Sequence, residues 1–231
     1  MSLELGPAHK RGLYLTSPVM VAAGCYGLGT EYRSLVDEAA LGAVVVGPIT
    51  LRPRPGAEPP RAVPIPGGVV VHTGLDNPGL AMVLRRYARA WARSPVPVVL
   101  HLAATTPGEV GQACSRVAEV EAVAALELGL ARSHPVGEAA ALVREAATAC
   151  ERTPLWVRLP LERAVDLAEV AVEAGADALV VGAPPRGTVL VRDRAITGRL
   201  YGPFVLPLAL RALQQVCLLY TSDAADEGLG V

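Results

Sequence analysis

The chain has 231 residues, 52% of them hydrophobic and 19% charged, with a formal net charge of -1. That is enough apolar content for one substantial core, and it excludes a disordered polymer. The near-neutral balance gives no bulk attraction to nucleic acid or to an anionic membrane surface.

Two residue types are nearly missing: Lys10 is the only lysine and Asn77 the only asparagine. Chemistry that needs a buried ammonium group or several convergent carboxamides is therefore disfavoured from the outset. Cys25, Cys114, Cys150 and Cys217 are widely spaced and form no C-x-x-C pair. The start, Met1 to Leu5, carries charge early, and no apolar run approaches the roughly 18 residues of a spanning helix. The expectation is a cytoplasmic protein with reduced thiols and no membrane segment.

The stretch from Leu3 to Leu15, with Gly6 and Gly12 around a polar loop, predicts a small hairpin capping one end. Apolar runs then alternate with amphipathic segments. The first run, Pro18 to Ala23, leads through glycines to a helix that Thr30 would N-cap, with Glu31 in its first turn. The second run is Gly42 to Gly47. A Pro-rich connection, Arg52 to Gly68, leads to an Arg-studded helix near 78–93. The third run, Val96 to Leu102, precedes a helix near 108–117. The fourth, Ala124 to Leu128, precedes one near 136–150. The fifth, Leu155 to Leu159, precedes one near 164–174. The sixth, Ala178 to Gly182, is followed by a last helix near 203–216.

Continuous apolar strands separated by amphipathic helices define an α/β protein with a parallel sheet covered by helices. Six successive βα units without a composition break point to a TIM-type β/α barrel, incomplete against the eight units of a full one. After Val216 the apolar periodicity gives way to an acidic string. Residues 217–231 resemble the translation of a sequencing-library adapter, so the expected organisation is a partial barrel over 1–216, a hairpin over 1–16 within it, and a non-native tail.

Several residues carry candidate chemistry. The segment Gly24-Cys25-Tyr26-Gly27-Leu28-Gly29 follows a strand, but its spacing is not that of a dinucleotide fingerprint. A tight turn with glycines at unusual φ is the plainer reading. His72, His101 and His134 all fall at C-terminal strand ends, where a barrel builds its site. They can be individually hydrogen-bonded, or they can converge as a three-histidine metal site. Arg132, Arg158 and Arg186 follow the fourth, fifth and sixth runs. They are either solvated or gathered around one pocket suited to a carboxylate or phosphate. Arg85, Arg86, Arg89 and Arg93 read as a solvated helix face. Glu127, inside the fourth run, needs a buried partner, and an arginine is the expected one.

The scaffold segments resemble the soluble, FMN-dependent dihydroorotate dehydrogenase family. The resemblance rests on Pro18 to Gly24, Leu41 to Val45, Arg54-Pro55-Gly56 with Pro59-Pro60-Arg61, Gly74 to Gly79, Ala125 to Leu128, Ala174 to Leu179, and Gly202-Pro203, in that order. It implies a β/α barrel that oxidises dihydroorotate to orotate in pyrimidine biosynthesis, acting on an anionic small molecule. It also implies FMN contacts at Ala22, Ala23, Gly24, His101, Arg158 and Gly202. Substrate contacts would fall at His72, Thr73, Gly74 and Leu75.

The family's polar side chains are replaced. Gly47 stands for a lysine; Val71, Gly129, His134 and Ala183 stand at or near asparagine positions; Arg132 stands for the base, with His134 as a substitute. A guanidinium cannot take up a proton near neutral pH. An inactive barrel paralogue with a ligand- or partner-binding role, and a repurposed His/Arg pocket, are therefore the alternatives to the oxidoreductase. A homodimer and a hetero-oligomer both remain open.

Overall fold

The structure is a computed structural model that describes residues 3–5 and 12–226, with the side chains of 220–226 outside the description. Lys10, Gly6 and the rest of the hairpin loop lie outside the described residues, as does 227–231.

The expected N-terminal hairpin is present: β1 (Leu3–Leu5) and β2 (Leu13–Leu15) pair antiparallel, with Leu3 opposite Leu15. The barrel wall follows with β3 (Met20–Val21) and β4 (Ala43–Ile49). Then come β5 (Ala62–Ile65), β6 (Gly68–Val71), α1 (Leu80–Trp91) and β7 (Val98–Ala103). Next are α2 (Pro107–Ala118), β8 (Ala125–Gly129), α3 (Val136–Ala149) and β9 (Leu155–Pro160). The chain continues with α4 (Ala164–Glu173), β10 (Ala178–Ala183), β11 (Arg186–Val191), β12 (Arg194–Tyr201) and α5 (Leu206–Asp226). β3, β4, β7, β8, β9 and β10 form one six-stranded parallel sheet in that order. This curled sheet is the wall of an incomplete TIM-type barrel.

Alternation along each strand sorts side chains to two faces. Val44, Val46, Leu100, Leu126, Leu128, Val157 and Leu159 turn outward and pack with the helices. Ala43, Val45, Val99, Ala125 and Trp156 turn inward, where Leu15 and Ala23 join them. The hairpin thus closes the lower end of the interior with Leu15, which is 1% exposed. The helices bury matching stripes. In α1 these are Leu80, Val83, Tyr87 and Trp91, at the spacing of one helix face. α2 starts on a Thr106 cap, with Pro107 in its first positions and the Thr106 hydroxyl accepting from the Glu109 N–H.

Two expectations change. No α-helix follows β3. Glu31 folds its carboxylate back to accept the N–H groups of Leu28 and Thr30, and Tyr32 and Leu35 are exposed instead of sharing a buried stripe. The segment remains a series of turns ending in one 3-10 turn at Glu38–Ala40, capped by Asp37. Leu28 and Val36 are only partly buried against the core, and with Tyr32 and Leu35 exposed the segment lacks the continuous apolar stripe that would hold a short helix in place.

The Pro-rich connection and the stretch after β10 are also structured. β5, β6, β12 and β11 make a separate four-stranded antiparallel sheet over the upper end of the barrel. Pro66 and Gly67 (φ +77°) turn β5 into β6. Arg192 and Asp193, both at positive φ, make the two-residue turn of the β11–β12 hairpin. α5 passes the expected boundary at residue 216 without a break.

Truncating the plug tests this division of the core. Leu15→Ala is expected to lower unfolding stability by about 2–4 kcal/mol in urea denaturation. A loss below about 0.5 kcal/mol would contradict a packed lower interior.

Candidate functional site

Above the inward apolar layer, at the C-terminal ends of the parallel strands, the interior opens into a cavity of about 620 Å³. This is the end where β/α barrels place ligands, and the volume suits a small-molecule site. Its walls carry small residues: Ala23, Gly24, Ala103, Ala104, Gly129 and Ala131. Gly24 has φ +89°, and a Cβ there would meet nothing within 4 Å, so open space faces this turn. The tight-turn reading of Gly24 to Gly29 holds, since Gly24, Gly27 and Gly29 all have positive φ.

The cavity is cationic. Arg54, Arg61, Arg158, Arg186 and Arg199 line it, and the carboxylate among its lining residues, Asp76, is already bound by Arg61 at 2.8 Å. Arg199 is partly withdrawn from solvent, and burial holds its guanidinium below the ordinary value.

At the floor, three side chains from neighbouring strands meet inside the barrel. Register places His101 of β7 opposite Glu127 of β8, and Gly129 opposite Arg158 of β9. The His101 Nδ1–H donates to Glu127 Oε1 at 2.6 Å, and Arg158 Nη1 lies 3.6 Å from the same oxygen. Glu127 and His101 are both buried. Burial alone would raise the Glu127 carboxyl, but the hydrogen bond from His101 and the nearby Arg158 guanidinium outweigh it. The carboxyl stays below its ordinary value of 4.5. The expected arginine partner for Glu127 is thus present, and a histidine joins it. Arg158 Nε is buried without a partner among the described residues.

The loop after β6 is held rigidly. Asn77, buried, donates from Nδ2 to Thr50 Oγ1 at 2.9 Å and to the Leu75 carbonyl at 2.7 Å. Its Oδ1 accepts the N–H groups of Gly79 and Thr50. Arg61 adds a second clamp, from Ala57 O to Asp76. The lone asparagine is a backbone clamp and has no amide valence left over.

Placement of the expected site residues is mixed. Ala23, Gly24, His101 and Arg158 line the cavity, as do His72, Thr73, Gly74 and Leu75. Ala22 and Gly202 do not. Ala22 is exposed in the turn, its carbonyl accepting the Cys25 N–H. Gly202 packs against the β5–β6 turn, where a Cβ would lie 2.5 Å from Gly67 O.

Arg132 is exposed away from the cavity, and its carbonyl accepts from Arg163; of the three arginines, Arg158 and Arg186 line the cavity and Arg132 does not. His134 is also outside. Its Nδ1 accepts the Ala131 N–H, its carbonyl accepts from Arg163, and burial holds its ring below the usual histidine range. The three histidines do not converge, and no group of three His, Cys, Asp or Glu among the described residues could hold a metal.

Gly47 has φ +107°, and a Cβ there would stand 2.8 Å from the His101 carbonyl, so this backbone admits no side chain at that point. Arg54, Arg199 and Tyr201 reach the cavity unannounced. The alternation of Arg186 to Tyr201 was the available signal for the last two.

A β/α barrel with a cationic small-molecule cavity at its C-terminal face is the class these features define. The family model for dihydroorotate dehydrogenase matches residues 9–222. The catalytic subunit of dihydroorotate dehydrogenase B (NAD(+)) from Desulforudis audaxviator is 36% identical over 225 residues, covering 89% of this chain and 72% of that protein. The subunit of the same name from Desulforamulus reducens is 36% identical, over 93% and 76%. That from Pelobacter propionicus is 33% identical, over 89% and 73%. The chain belongs to the dihydroorotate dehydrogenase family, an FMN-dependent family of oxidoreductases. It spans about three quarters of the length of these relatives.

The depressed Glu127 carboxyl has a pH consequence. Its pairing contributes fully above 4.5, the value it regains on unfolding, and is lost as pH falls through the lower folded value. Urea unfolding of the wild type is therefore expected to weaken steadily below about pH 4.5, and Glu127→Gln to show a shallower slope. Parallel slopes would contradict the pairing.

Proposed function

We propose that the chain binds FMN in this cavity and oxidises dihydroorotate to orotate in pyrimidine biosynthesis. The observation that carries the reading is the cavity itself: small-residue walls and a cationic floor at the C-terminal face of a barrel in this family. The residues present suit a planar ring system. Ala23, Gly24, Ala103 and Gly129 keep the walls shallow, Gly24 faces open space, and Arg158 has an orphaned buried donor below. When bound, FMN supplies the hydride acceptor.

The chain's own residues supply binding and orientation. Arg158 brings a permanent cation to the floor at a position where the family has a lysine, and Glu127 keeps it from leaving the strand. Arg54, Arg186 and Arg199 put positive charge around the opening, although Arg199 Nη1 already donates to the Pro184 carbonyl at 2.8 Å, and this suits the carboxylate of an anionic substrate. Asn77 and the Arg61–Asp76 pair hold His72 to Leu75 in place, so that loop meets a substrate without ordering cost. Among the described residues of that loop, His72 lines the cavity and its ring makes no hydrogen bond to the protein.

A second reading is a barrel that binds these ligands without turnover. It is favoured by the loop after β8, where the base position holds an outward Arg132 and His134 is committed to a backbone N–H. The relatives' description as catalytic subunits supports assembly with a different subunit.

One preparation separates these readings. The purified protein incubated with FMN is expected to retain flavin absorbance after gel filtration, and dihydroorotate added without oxygen is expected to bleach it. Retained flavin that does not bleach selects the binding protein; no retained flavin overturns both. Arg158→Ala is expected to weaken FMN binding at least tenfold, as loss of a charged contact does.

A further inference from the structure

His101 stands where a barrel wall meets the cavity, and its surroundings are unusual in two respects. Its Nδ1–H is committed to a buried carboxylate. Its ring edge lies directly over Gly129: a Cβ added at Gly129 would come 2.6 Å from Cε1 and 2.7 Å from Nε2. Gly129 has no positive φ to explain the glycine. The imidazole occupies the space that a side chain at 129 would take, so the histidine and the glycine are one device. Nε2 has no hydrogen-bond partner among the described residues, while the residue lines the cavity.

We infer that Glu127 and Gly129 together seat His101 as a specificity-determining residue, with Nε2 offered to the cavity as a hydrogen-bond acceptor for a ligand N–H. With Nδ1 protonated and donating, the neutral ring has its lone pair at Nε2. The Arg158 guanidinium, tied to the same Glu127 oxygen by one 3.6 Å contact, has donors to spare beside it. An acceptor next to a donor matches the N–H and C=O of an imide edge on a planar heterocycle. Flavin and orotate both carry such an edge. Glu127 acts through His101 and is a positioning residue. The ligand contact rests on the cavity being the flavin and pyrimidine site; the seating of the ring does not.

Three measurements on the full chain test this. In histidine-15N-labelled protein at pH 7.5, the ring signals lost in His101→Asn are expected to show a protonated Nδ1 and a bare Nε2. An Nε2–H tautomer or a doubly protonated ring overturns the inference. Gly129→Ala is expected to lower the melting temperature by roughly 3–8 °C, and most of that loss is expected to vanish in a His101→Ala background. Additive losses overturn the shared seat.

Finally, FMN, orotate and their N3-methyl derivatives are titrated against wild type and His101→Ala. Methylation is expected to weaken one of the two ligands roughly tenfold or more in the wild type and far less in the variant. That ligand is the one whose imide edge His101 reads. Equal methylation effects in both proteins overturn the contact. If neither parent ligand binds, the flavoprotein reading and the imide contact fall together, while the first two measurements still decide how the histidine is seated.

Discussion

The site depends on one carboxylate oxygen held inside the barrel. Glu127 Oε1 receives His101 from one neighbouring strand and Arg158 from the other, and all three side chains project into an interior whose next layer down is Val99, Ala125 and Trp156. An unpaired carboxylate at this depth would cost several kcal/mol, and so would an unpaired guanidinium. Each therefore requires the other, and the pairing fixes the register of three central strands. It also sets the boundary between a sealed lower interior and an open upper one. Below the carboxylate the alternating inward residues are apolar and plugged by Leu15; above it the walls shrink to alanine and glycine and the cavity begins.

That boundary also separates residues that shape the wall from residues that face the cavity. Glycines and prolines shape the turn at Gly24, the loop from Gly74 to Gly79, and the crossing beside Gly47, and these positions serve the wall whatever ligand is present. Side chains that would touch a ligand answer to different demands. Gly47 is pressed against the His101 carbonyl, and Gly129 lies beneath the His101 ring. Two glycines of the cavity wall, Gly47 and Gly129, thus crowd around one imidazole. The scarcity of lysine and asparagine has a structural counterpart: the cavity's cations are arginines, and the single asparagine is consumed as a loop clamp.

Much of the wall was legible in the chain itself. Each of the six apolar runs became a strand of the parallel sheet, because burial on both faces demands continuous Val, Leu and Ala. The need of Glu127 for a buried arginine was readable from a charge inside such a run. Less legible were features set by contacts distant in sequence. Thr30 and Glu31 look like a helix start, but the carboxylate closes a turn instead. The β11–β12 hairpin turns on Arg192 and Asp193, which lack the usual Asn-Gly signal, and so its strands passed unnoticed together with Arg199 and Tyr201. His134 and Arg132 lie at the right chain positions for a site but face away from it, since side-chain direction in a loop depends on local hydrogen bonds and not on spacing. His101 lines the cavity, as its place at a C-terminal strand end suggests, whereas its contact with Gly129 needed three-dimensional proximity to be visible.

The most direct test of this arrangement is a crystal structure of the protein grown with saturating FMN. The flavin ring is expected in the cavity, against the Ala23–Gly24 turn and above the His101–Glu127–Arg158 floor, with the Glu127 contacts to both partners intact. Flavin bound elsewhere on the molecule, or an empty cavity at saturating FMN, would contradict it.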